Sequence, residues 1–256
     1  WVRSFLNSLL FSKNNKLNLN NILIDQFPNR RHFKELVKDL DNFNEIAKNW
    51  ITAQEKINID NKIKFFKTHN ILCTIDGNNF TNPKNTLGVI HIVRDPRNVI
   101  TSVKNHNDFS TYNEALDLMQ NDNAVLKDYK HLNNHAKTTI INSWRINYQS
   151  WTQNNFYRRM TIKYEDMLDN PQIVFRDLIV FVNTLCRFNE KVDNLKLDNA
   201  IKSTSFDKLK SIENEGNFSE NVYSLKDKRK IKFFFLGPQN DWREQLDKNL
   251  IEKMNE

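Results

Sequence analysis

Residues 87–93, Leu-Gly-Val-Ile-His-Ile-Val, form an almost unbroken apolar run that stops at Arg94-Asp95-Pro96. Such a run reads as a strand covered on both faces in a parallel sheet. Asp95 supplies an N-cap residue and Pro96 suits the first helical position, so the chain is expected to enter a helix at once. Val99, Ile100 and Val103 would form the buried stripe of that helix.

The same alternation recurs along the chain. Phe5, Leu6, Leu9 and Leu10 have helical spacing near the start. Residues 14–21 are polar and read as a loop, and residues 31–57 as one or two helices. Ile63–Lys67 is a short apolar run with a basic edge, a strand ending at Lys67-Thr68-His69. Residues 76–85 hold Gly77 and Pro83 and read as a loop. Thr111 and Glu114 make a capping-box pattern, and a helix is expected over 138–153. Met160–Tyr164 reads as a third strand, followed by a helix opened by Asn170-Pro171. From Leu195 onward the chain is helical and charged, with loops at Gly216 and Gly237. Strands separated by helices define an α/β class with a parallel sheet flanked by helices. With 256 residues and no linker or repeat, a single domain over 1–256 is the simplest organisation.

The formal charge of +7 favours anionic partners, but no block of like charges marks a nucleic-acid tail. The apolar runs are too short to span a membrane. Two distant cysteines, Cys73 and Cys186, give neither a disulfide framework nor a zinc spacing, so a reducing, cytoplasmic location is expected. His131 and His135 are four apart, but no third ligand accompanies them, and no metal is expected. His91 reads as a core histidine with its hydrogen bonds met, and Trp144 and Trp151 as core.

Two short segments carry chemistry. Arg94 arrives at a helix N-terminus, where free N–H groups and the helix dipole favour an anion. Arg94 then either grips a phosphate or pairs with Asp95 within the sheet. Lys67 and His69 stand at a strand end, the place where open α/β sheets bind ligands.

Lys67-Thr68-His69, taken with Arg94-Asp95-Pro96-Arg97-Asn98 and Ser102, resembles the sulfotransferases that use 3′-phosphoadenylyl sulfate. Tyr164-Glu165-Asp166, Thr204-Ser205-Phe206 and Gly237 with Asp241-Trp242-Arg243 match further segments of that family in order, and Trp1-Val2-Arg3 resembles the residues after its first loop. The resemblance spans the chain and implies a P-loop NTPase-like sulfotransferase fold. It implies transfer of a sulfuryl group from 3′-phosphoadenylyl sulfate to an acceptor hydroxyl or amine by in-line displacement. His69 would be the general base and Lys67 would hold the phosphosulfate. Arg94 and Ser102 would grip the 3′-phosphate. Trp1 and Phe206 would sandwich the adenine, Tyr164 and Thr204 would contact it, and Gly237 would belong to the closing motif. No metal is implied.

Two departures from that family are visible. Its Gly-containing loop, with the lysine that faces the leaving oxygen, would lie just before Trp1, and none of the four glycines makes such a loop. The chain is therefore expected to lack the first strand and phosphate loop, and to turn over poorly as it stands. Phe235 and Leu236 occupy positions that are basic in the family, with Lys230 or Lys232 as substitutes. The alternatives are a nucleotide or small-molecule kinase on a related fold and a non-catalytic nucleotide-binding relative. A small-molecule or glycan acceptor is expected, and a homodimer stays open.

Overall fold

The computed structural model describes residues 1–12, 23–126, 139–218, 220, 222–224 and 226–255. In chain order the first half runs α1 (Val2–Phe11), β1 (Asp25–Gln26), α2 (Phe43–Lys48), α3 (Trp50–Ile57), β2 (Phe66–Lys67), β3 (Thr74–Ile75), β4 (Asn78–Asn79), β5 (Gly88–Val93), α4 (Pro96–His106) and α5 (Tyr112–Gln120). The second half runs α6 (Trp144–Thr152), β6 (Arg158–Lys163), α7 (Tyr164–Asp169), α8 (Pro171–Cys186), α9 (Asn194–Ser203), α10 (Phe206–Asn214), β7 (Val222–Tyr223), β8 (Lys230–Ile231), α11 (Trp242–Gln245) and α12 (Lys248–Asn255).

The expected parallel strands are present as two separate ladders among the described residues. β1 pairs with β2, Gln26 opposite Lys67, and β5 pairs with β6, Val93 opposite Lys163. Both are parallel and both lead toward candidate site residues. The run is less buried than its apolar character suggests: Ile92 in β5 and Leu87 just before it are exposed, and within the described residues β5 has a hydrogen-bonded neighbour on one edge only. The strand expected over 63–67 shrinks to Phe66–Lys67, the stretch that β1 pairs with.

Local sequence explains most helix starts. Asp95 accepts a hydrogen bond from Arg97 N at 2.9 Å and Pro96 sits in the first turn of α4, as expected. Thr111 and Glu114 form a complete capping box on α5. Ser143 and Ser205 cap α6 and α10. The helix expected over 138–153 starts only at Trp144: Ser143 caps it there, and Ile140 forms an antiparallel bridge with Val125. Thr138 itself, the loop 14–21, His131 and His135 lie outside the described residues.

Residues 74–79 form a tight hairpin where a loop was expected. Its turn, Asp76-Gly77, has φ of 48° and 79°, the paired positive values that an Asp-Gly turn supplies. β7 and β8, a second antiparallel pair, fall in a charged stretch with no strand signal.

Four apolar clusters hold these elements among the described residues, the smallest around Leu209 and Phe218. The first joins α1, β6, α8 and α9, with Phe5, Phe175, Leu178 and Leu197 fully buried. Phe5 and Phe175 pack with centroids 4.2 Å apart and ring planes tilted by 31°, and burying each such ring contributes about 2 kcal/mol. The second joins α2 and α3 to Phe27, Phe33 and Trp151. The third seats α4 against α5 and α12 through Ile100, Leu116 and Leu250. Among the described residues no helix is long and apolar enough to cross a membrane.

Candidate active site

At the start of α4 the two arginines go different ways. Asp95 turns to Arg97, with Oδ1 accepting from Nε at 3.0 Å and Oδ2 from Nη2 at 2.6 Å. Arg94 instead lies with its guanidinium carbon 4.2 Å from the centroid of the Tyr164 ring. Its Nη2 donates to the Gly237 carbonyl at 3.3 Å, and its buried Nε has no hydrogen-bond partner. A buried guanidinium N–H without an acceptor is costly, and an anion at this point would satisfy it. Burial draws the Arg94 pKa down, and the neighbouring Tyr164, Glu165 and Asp95 oppose that. Burial also raises the Tyr164 hydroxyl above its ordinary range, so it stays neutral.

Gly237 and Phe206 meet at the same place. A Cβ on Gly237 would lie 2.2 Å from Phe206 Cε2, and Gly237 holds φ at +56°. Only glycine fits both demands. The closing segment is tied to α4 again: Asn240 Nδ2 donates to the Asn98 carbonyl, and Trp242 N donates to Asn98 Oδ1, at 2.8 and 2.9 Å. Arg97 lies 4.0 Å from the Trp242 ring centroid.

Lys67 ends β2 beside a different set of groups. Its Nζ is 3.7 Å from Glu220 Oε2, and the other oxygen of Glu220 is paired with Arg3. Burial lowers the Lys67 pKa, Glu220 raises it, and Arg3 lowers it further. His106, at the end of α4, faces the same cluster: burial lowers its pKa, Lys67 lowers it further, and Glu220 raises it. Its ring packs edge-on against Phe233. His69 lies two residues on, exposed to solvent. Asn70 anchors that turn. It is fully buried, accepts from Ile140 N at 2.8 Å through Oδ1, and takes the Trp151 indole N–H on its carbonyl at 3.0 Å.

The Trp1 ring packs on Phe175 in the apolar cluster that also carries Tyr164. The Trp1 indole nitrogen is buried with no hydrogen-bond partner. Phe206, Phe234 and Phe218 continue the wall toward Glu220, with the Phe206 and Phe234 centroids 6.2 Å apart.

Two of the expected ligand residues sit differently from the rest. Thr204 is fully buried and its hydroxyl donates to the Ala200 carbonyl at 2.8 Å, so its hydroxyl is turned inward. Ser102 is exposed on α4. Lys230 and Lys232 are exposed on and beside β8, and Phe235 is also exposed. His91 is half-buried with Nδ1 lacking a partner, unlike the fully bonded core histidine expected, while its ring lies 5.7 Å from Tyr148. Trp151 is core, and Trp144 is half-buried and stacked on Tyr148. Among the described residues no group of His, Cys, Asp and Glu is placed to hold a metal ion. Arg3, Glu220, His106 and Asn70 were not singled out in the sequence. Arg3 lies inside the matched segment Trp1-Val2-Arg3 but was given no role there, while Glu220 lies in a polar stretch with no pattern to mark it.

An α/β scaffold brings Lys67 and Arg94 to the ends of strands in two parallel pairs. The chain belongs to the sulfotransferase family: the sulfotransferase domain model matches residues 1–256. That membership makes sulfuryl transfer its chemistry and disfavours the kinase alternative. No curated protein sequence matches the chain. Among solved structures, it is similar to retinol dehydratase in complex with androsterone and the inactive cofactor PAP, with 14% identity and a TM-score of 0.56 over 98% of this chain and 75% of that one. It is also similar to a mouse sulfotransferase complexed with PAP, with 16% identity and a TM-score of 0.51 over 78% of this chain and 67% of that one. At these identities the likeness is one of fold.

Proposed function

We propose that the donor is 3′-phosphoadenylyl sulfate and that its nucleotide lies against Arg94, Tyr164, Gly237 and Phe206. The observation that carries this reading is the buried, unpartnered Nε of Arg94 beside a neutral phenol and an aromatic wall. A 3′-phosphate supplies the acceptor oxygens that this fork lacks. Ser102, eight residues along the same helix, adds a hydroxyl on the solvent side. Trp1 and Phe206 offer flat apolar faces for adenine. Thr204 acts from within, fixing the turn into Ser205 and Phe206, since its hydroxyl is spent on Ala200.

His69 takes the acceptor's proton as the oxygen or nitrogen attacks sulfur. An imidazole suits that task near neutral pH, where it is mostly deprotonated. Lys67 supplies fixed positive charge for the phosphosulfate, in a partly buried setting where such charge is strong. The acceptor is a small molecule or a glycan bearing a hydroxyl or amine, the setting is cytoplasmic, and 1–256 acts as one domain. A homodimer is compatible with this reading.

Incubation of the full protein with radiolabelled donor and a broad panel of phenols, alcohols, amines and sugars tests the proposal. Labelled product should form without added metal, and His69→Asn should lower kcat about 100-fold or more. No product from any acceptor class would overturn it.

A further inference from the structure

Glu220 lies beside Lys67, between two anchored residues of the chain, Phe218 and Ser224. On one side Phe218 is buried against Leu209, Phe233 and Phe234. On the other, Ser224 is fully buried and its hydroxyl donates to Asp108, in the loop after α4. Between these anchors the Glu220 carboxylate bridges two cations, one oxygen on Arg3 and the other on Lys67, with His106 within electrostatic reach. Arg3 is itself oriented, since its Nε donates to the Ile24 carbonyl at 2.9 Å.

We propose that Arg3 and Lys67 form an oxyanion subsite, and that Glu220 is its built-in occupant, which a sulfate or phosphate group must displace to enter. A carboxylate and a sulfuryl or phosphoryl group present similar oxygens to an Arg and a Lys. Arg3 fixes direction with its planar fork, and Lys67 adds a point charge. The competing carboxylate lowers the affinity of the free site for stray anions and keeps Lys67 charged until an anion arrives. Burial pulls the Lys67 proton affinity down and Glu220 pushes it up, which agrees with that second role. The subsite rests on the donor assignment only for its place in the reaction; its anion binding stands or falls alone.

Calorimetric titration of the full protein with inorganic sulfate tests this. Glu220→Gln should bind sulfate about fivefold more tightly than the parent, from loss of a competing ion pair. Arg3→Met should weaken sulfate binding by a similar factor, and the double variant should lose the gain. Glu215→Gln, an exposed acid nearby, should change nothing. Should Glu220→Gln melt early, Glu220→Ser carries the same expectation. Unchanged sulfate affinity in the Glu220 variant, or an equal gain in Glu215→Gln, would overturn the subsite. A parallel titration with adenosine 3′,5′-bisphosphate separates the two proposals. Nucleotide binding with no effect of Glu220 on sulfate defeats the subsite alone. A Glu220 effect on sulfate in a protein that ignores the nucleotide supports the subsite and defeats the donor assignment.

Discussion

The guanidinium of Arg94 lies face-on to the ring of Tyr164, 4.2 Å from its centroid, although the two residues come from different strand ends seventy positions apart. The parallel pairing of β5 with β6 produces this meeting, because Val93 and Lys163 are opposite one another and each strand hands its next residue to the same side. Sheet register thus brings two distant motifs into one contact, with Gly237 and Phe206 packed beside it.

Gly237→Ala tests how tightly that contact is packed. The new methyl would collide with the Phe206 ring and would force a side chain onto a φ of +56°. The expected cost is about 1–3 kcal/mol, a drop in Tm of roughly 2–12 °C for a chain of this size. Nucleotide affinity should fall further than in an equally destabilised core variant elsewhere. An unchanged Tm would show that the ring moves freely.

Asn70→Leu removes the anchor behind His69. Ile140 N would lose its buried acceptor, and a loss of about 1–3 kcal/mol is expected in chemical denaturation. kcat should fall while the affinity for nucleotide holds, because Asn70 positions the turn and touches no ligand. A variant that loses stability alone would mark Asn70 as structural only.

Asp25 makes a pH prediction with a definite sign. Burial by itself would raise its carboxyl pKa, but hydrogen bonds from His32, the Gln26 N–H and Arg31 outweigh that and bring it from 3.8 to about 2. A pKa lower in the folded state means stability that is present above the unfolded value and lost as pH falls through the folded one. The protein should therefore lose about 2 kcal/mol between roughly pH 5 and pH 2 on this account. Asp25→Asn should be less stable at pH 7 and show a flatter acid limb in urea denaturation. Parallel acid limbs for the two proteins would refute the assignment.

Much of the fold could be read from short-range chemistry. Asp95-Pro96, Thr111 with Glu114, and Asn170-Pro171 mark helix starts through groups only a few residues apart, and those starts hold in the structure. The hairpin at Asp76-Gly77 had the same kind of signal, but Pro83 and the polar residues around it drew the stretch toward a loop. β7 and β8 gave none, since two-residue strands carry no periodicity. The site divides in the same way. Arg94, Tyr164, Phe206 and Gly237 sat in matched motifs and converge. Glu220 and His106 did not, because nothing in local sequence tells which acid will lie across a lysine some 150 positions away. Thr204 shows the converse: its motif was legible, but the inward turn of its hydroxyl depends on the α9 carbonyl of Ala200, which tertiary packing sets.

Titration calorimetry with adenosine 3′,5′-bisphosphate and adenosine 5′-monophosphate, without magnesium, tests the central claim most directly. The bisphosphate should bind at least about tenfold more tightly, and Arg94→Met should erase the difference, as loss of a charged hydrogen-bond pair requires. Equal affinity for the two nucleotides, or an Arg94→Met variant that still prefers the bisphosphate, would contradict the account.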